Sequence, residues 1–101
     1  MKTFLDYTRE IFIFASKHNC NHLLDDLRKV KVTFSTLTMY EVPKMVLEML
    51  SDKNPYSFKR AILVSESERK IFDFFETVAF NNGLTVKVFY HQNEAQNWLS
   101  L

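Results

Sequence analysis

Apolar positions change period along this chain, and each change of period marks the boundary of an element. Residues 3–18 contain no Gly or Pro, and Phe4, Ile11, Phe12 and Ala15 fall on one side of a helix. Taken alone, Ile11-Phe12-Ile13-Phe14 also fits a strand. Asn19-Cys20-Asn21 breaks the helical pattern, and His22-Leu23-Leu24-Asp25-Asp26-Leu27 reads as a short strand. The next helix is expected to begin between Ser35 and Met39. Thr38 and Glu41 have the spacing of a capping box there, and Pro43 is tolerated only near a helix start. Val42, Val46, Met49 and Leu50 form its apolar stripe, and residues 52–58, with Asn54-Pro55, read as a loop.

Arg60-Ala61-Ile62-Leu63-Val64-Ser65 is the clearest strand, a continuous apolar run of the kind found in buried parallel sheets. Ser65 and Glu68 repeat the capping-box spacing before a helix that buries Ile71, Phe72, Phe75, Val78 and Ala79. Asn81-Asn82-Gly83 ends it, with Gly83 free to take the left-handed conformation that closes a helix. Leu84-Thr85-Val86-Lys87-Val88-Phe89-Tyr90 alternates, as expected of a strand with one strongly apolar face. A last short helix places Ala95, Trp98 and Leu99 together. The order is a helix followed by three β-α units, and helical crossovers imply parallel strands joined with right-handed connections. The fold class is therefore α/β, with a small, mainly parallel sheet in one domain over residues 1–101.

Composition narrows the picture. A chain of 101 residues has room for one core, and 47% hydrophobic residues with 10 Phe place it far from disordered sequences. Gly83 is the only glycine, and the prolines are Pro43 and Pro55, so long elements with short connections are expected. The net charge is +1 and the basic residues are scattered apart from Arg28, Lys29 and Lys31, which argues against a nucleic-acid partner. A single Cys20 forms no disulfide within the chain, and no signal peptide is visible. The longest uncharged apolar run, residues 11–16, is far short of the roughly 20 residues a membrane span needs. A cytoplasmic location is expected.

Several segments carry a resemblance once the elements stand in this order. They are Cys20-Asn21-His22-Leu23-Leu24-Asp25-Asp26-Leu27-Arg28, Ser35-Thr36-Leu37-Thr38-Met39-Tyr40-Glu41, Arg60-Ala61-Ile62-Leu63-Val64 and Phe75-Glu76-Thr77-Val78-Ala79-Phe80-Asn81-Asn82-Gly83. The ending, Val86-Lys87-Val88-Phe89 followed by Glu94-Ala95 and Trp98-Leu99, is the most specific. Together, over nearly the whole chain, they resemble bacterial STAS-like (STAS/SEC14-like) proteins, related in fold to anti-sigma-factor antagonists. The resemblance implies a non-catalytic protein-interaction module with a regulatory role. Family members open with a pair of strands before the first helix, so this chain reads as a shortened member, or as a fragment whose strands are supplied otherwise. Anti-sigma-factor antagonists carry a phosphorylated hydroxyl after the second strand, in an Asp-Ser-Ser/Thr-Gly setting. Here that stretch is Phe34-Ser35-Thr36-Leu37, which makes Thr36 and Ser35 the candidate regulatory hydroxyls but lacks the Asp and Gly.

Other constellations have simpler readings. His18, Cys20 and His22 include metal-ligand types, but their spacing matches no familiar site and a polar turn explains them. Asp25-Asp26 is similar to the acidic pair of phospho-receiver domains, yet the partners such a site needs are missing at later strand ends. One exposed carboxylate and one paired locally, with Arg28, is the plainer expectation. Ser35, Ser65 and His91 are candidates to converge at strand ends, without a nucleophile elbow or a Gly-rich loop; the serines serve better as helix caps. No catalytic residue, metal or cofactor is assigned. Phe74 and Phe80 fall off the core stripe and join Phe89, on the less buried strand face, as a candidate interaction surface. An unpaired edge or uncovered face of so small a sheet also points to a twofold homodimer. The alternative function is a carrier or sensor of a small apolar molecule or lipid, implied by the SEC14-like kinship and the Phe content.

Overall fold

The first helix begins where Thr3 accepts the Asp6 N–H at 3.1 Å and Asp6 accepts the Thr3 N–H at 3.3 Å, a reciprocal capping box. This is seen in a computed structural model that describes residues 3–30, 35–51 and 57–101, the side chain of Thr36 excepted. Helix α1 (Phe4–Lys17) buries Phe4, Thr8, Phe12 and Ala15, one stripe at helical spacing. Ile13 and Phe14 stay 44% and 58% exposed, so the helical period prevails over the local strand pattern.

Strand β1 (His22–Asp26), helix α2 (Thr36–Met49), strand β2 (Lys59–Leu63), helix α3 (Arg69–Asn81), strand β3 (Val86–Phe89) and helix α4 (Gln92–Leu99) follow. The strands pair in parallel in the order β1-β2-β3, with Leu24 opposite Ala61 and Ala61 opposite Lys87. Because the strands lie in sequence order, right-handed crossovers bring α2 and α3 to one face, where α1 packs beside α2. Helix α4 crosses the opposite face, mainly over β2. The strand period of two then divides the side chains. Leu23, Ile62, Val64 and Val88 join the large core under α1–α3, with Phe4, Phe72 and Phe75. Ala61, Leu63 and Phe89 face α4 and form a second, smaller core with Ala95, flanked by Leu24, Trp98 and Leu99.

Gly83 has φ 80°, as its position predicts. The Leu84 N–H reaches the Ala79 carbonyl at 3.1 Å and the Gly83 N–H reaches Phe80 at 3.0 Å, which is the paired bonding of a Schellman closure.

Helix α2 starts within the expected range and Ser35 caps it as expected, whereas the capping box at Thr38 and Glu41 and the Ser65 cap are corrected. Ser35, not Thr38, caps α2: its hydroxyl accepts the Thr38 N–H at 3.1 Å. Pro43 consequently lies inside the helix, where its ring removes one intrahelical bond. It is fully buried beside Met39, Val42 and Val46, and that packing offsets the lost bond. Ser65 makes no side-chain cap, because a 3-10 turn (Glu66–Glu68) precedes α3 and the hydroxyl donates instead to the Arg28 carbonyl at 3.4 Å. Of the loop expected at residues 52–58, only Ser57 and Phe58 are described.

Candidate interaction surface

Tyr40 of α2 and Phe74 of α3 meet edge to face on the outside of the helical layer, with ring centroids 6.0 Å apart. The inward stripe of α2 takes Met39, Val42 and Val46, which turns Leu37 and Tyr40 outward, one helical turn apart. On α3, burial of Phe72, Phe75 and Val78 turns Ile71 and Phe74 outward in the same way. Leu37 precedes Tyr40, and Ile71 precedes Phe74, each by one helical turn. These side chains are 66%, 48%, 40% and 41% exposed for Leu37, Tyr40, Ile71 and Phe74. The Tyr40–Phe74 contact, with Leu37 and Ile71 exposed one turn before it on the two helices, makes an apolar ridge. Phe74 was expected off the core stripe and is; Ile71 was expected within it and is corrected here. Leu37 and Tyr40 were missed, although their spacing beside the α2 stripe was a legible signal.

The N-terminus of α2 adjoins this ridge. The Ser35 hydroxyl is exposed and lies 2.9 Å from that of Thr38. Thr36 opens the helix, and its side chain lies outside the described residues. At the β3 end, the Tyr90 hydroxyl donates to Asp73 at 2.9 Å and the Arg69 guanidinium covers the Tyr90 ring at 4.3 Å. Burial, followed by the bond to anionic Asp73, pushes the Tyr90 phenol up to about 12. Among the described residues, Ser35, Ser65 and His91 make no hydrogen bond with one another.

The acidic pair divides between the two faces. Asp26 takes a bidentate ion pair from Arg28, at 2.9 and 2.8 Å, and this bond holds its carboxyl below the usual carboxylate range. Asp25 points into the larger core and receives Arg60 from β2, with Nε at 3.0 Å. The Arg60 guanidinium also lies over the Phe4 and Phe12 rings at 5.1 and 5.8 Å. Asp25 and Arg60 are 6% and 2% exposed, which makes this pair a core element rather than a site. The local pairing expected of one carboxylate is present at Asp26. The long-range pair was missed, and its signal was a charge at an inward position in each of two neighbouring apolar strands.

Phe89 is 7% exposed beneath α4, its ring centroid 5.7 Å from that of Trp98, so the face expected to be less buried is covered. Phe80 is 76% exposed and lies six residues after Phe74 on α3, beside the outer edge of β3. Phe89, Phe74 and Phe80 therefore occupy separate places. A shallow trough runs along that β3 edge. One half, of about 460 Å³, is lined by Phe80, Thr85, Lys87 and Trp98; the other, of about 490 Å³, by Lys87, Glu94, Trp98 and Leu101.

Cys20 is exposed and contacts the His18 carbonyl at 3.7 Å, while the His18 ring stacks 4.3 Å from Phe14. Among the described residues, no three His, Cys, Asp or Glu side chains come together as metal ligands. A small, partly open pocket lined by Phe12, Val46, Phe58, Arg60 and Phe75 holds about 10 Å³. No described helix is long and apolar enough to cross a membrane. The chain matches no protein-family model, no curated protein and no solved structure.

Proposed function

We propose that this chain is a cytosolic, non-catalytic, STAS-like protein-interaction module that acts in regulation and works as a homodimer. The observation that carries the reading is the ridge of Leu37, Tyr40, Ile71 and Phe74, because large apolar side chains exposed side by side mark surfaces that are covered in use. Its occupant is a protein segment presenting an apolar helix face. Side chains one turn apart on two parallel helices have the spacing at which such a segment packs.

The STAS-like resemblance supports a regulatory role for the start of α2. A phosphate on Ser35 or Thr36 would sit at the positive end of the helix and place negative charge within a turn of Leu37. The carrier alternative has weaker support: among the described residues the pocket under Phe12, Phe58 and Phe75 has room for about one water, and the adjoining space of about 490 Å³ beside Phe12, Ile13, Met49 and Phe58 is open to solvent.

A photo-crosslinking residue at Tyr40, compared with one at exposed Lys17 on α1, tests the reading in cells. A protein joined only from position 40, and found to bind the purified chain one to one, supports it. Equal labelling from both positions counts against it.

A further inference from the structure

The outer edge of β3 has no strand beside it among the described residues. Arg60 of β2 and Val64, just past its end, donate to the Thr85 and Phe89 carbonyls, each at 3.0 Å. By the alternation of a parallel strand, Val86 and Val88 then turn their backbone groups away from β2. The Glu76 carboxylate lies near the Val88 N–H, a charge of the kind found guarding natural sheet edges. Phe80 and Leu101, 76% and 87% exposed, line the trough beside it.

We infer that a second copy of this chain seats on this edge, its β3 antiparallel to the first about a twofold axis near Val88. The inference rests on the self-association proposed above and says where it occurs. Charge carries the choice of occupant. Lys87 lies in the first half of β3 and Glu94 on the first turns of α4, beyond the strand's far end, and both line the same trough. Neither makes an ion pair among the described residues. Antiparallel pairing brings the start of one β3 to the end of the other, so Lys87 of each copy approaches Glu94 of the other.

The register follows from the same logic. An axis at Lys87 would oppose two ammonium groups, which destabilises a strand pair. An axis at Val88 instead sets Lys87 opposite the second copy's Phe89. The two Val88 residues then exchange N–H···O=C bonds. The sheet becomes continuous across the dimer.

Light scattering on the full chain at micromolar concentration, with the single and double charge exchanges, tests this. The wild type is expected at twice the 12.0 kDa chain mass. Lys87→Glu and Glu94→Lys should each weaken association by roughly tenfold or more, through like-charge contact. Lys87→Glu combined with Glu94→Lys should restore it, an outcome that a general loss of folding does not produce. A wild-type dimer indifferent to both single exchanges would overturn this edge while leaving self-association standing. A mass of 12.0 kDa at every concentration would overturn both.

Discussion

Arg60 on β2 reaches across to Asp25 on β1, and the two form an ion pair buried under α1, with the guanidinium lying over the Phe4 and Phe12 rings. Removing one partner strands the other charge in the core. Asp25→Ala should therefore cost about 3–5 kcal/mol, whereas Asp25→Leu with Arg60→Met should come close to neutral. Urea denaturation of the variants checks this. A single substitution costing under about 1 kcal/mol would show that water reaches the pair.

Trp98 is half-buried and packs on Phe89, while Lys59 donates to the Trp98 and Leu101 carbonyls at 3.3 Å each and lies 5.1 Å from the indole ring. The lysine thus caps the C-terminus of α4, an eight-residue helix that holds only by such contacts. Trp98→Ala should cost about 2 kcal/mol, less than the roughly 3–5 kcal/mol of a fully buried aromatic ring. That corresponds to a fall of about 10 °C in Tm for a domain of this size. An unchanged Tm contradicts the anchoring role.

Ser35 caps α2 through the Thr38 N–H. Ser35→Ala should cost about 1 kcal/mol, while Ser35→Asp should keep the cap and interact favourably with the helix dipole. Thermal melts distinguish the two. Equal destabilisation by both would mean that the hydroxyl contributes nothing to the cap.

Tyr90 is held protonated by burial and by its bond to Asp73, with its phenol near 12 against an ordinary 10.0. A folded-state pKa raised above the unfolded value stabilises fully below 10.0 and is lost as pH climbs through about 12. Tyrosinate absorbance of the wild type, less that of Tyr90→Phe, should show this late titration. Asp73→Asn should move it part of the way back. A phenol titrating at the ordinary value would contradict the bond to Asp73.

Much of this architecture was legible because its signals are local. Gly83 after Asn81-Asn82 announced the end of α3, and the apolar run from Arg60 announced a buried parallel strand. Features that depend on distant packing were not legible. Pro43 reads as a helix start by its own chemistry, yet burial against Met39 and Val46 holds it inside α2. Phe89 reads as exposed from strand alternation, because nothing within β3 reveals that α4 folds back over it. The ridge was half visible. Phe74 stood out from the α3 stripe, but its pairing with Tyr40 required the two helices to be set side by side.

The docking ridge is tested most directly by the affinity of the partner crosslinked at Tyr40, measured with purified components for wild type, Phe74→Glu and the control Lys17→Glu. Both substitutions fall on exposed positions and should cost less than about 1 kcal/mol of stability. The ridge predicts that Phe74→Glu weakens binding by at least about tenfold while Lys17→Glu leaves it unchanged. Undiminished affinity in Phe74→Glu would contradict it.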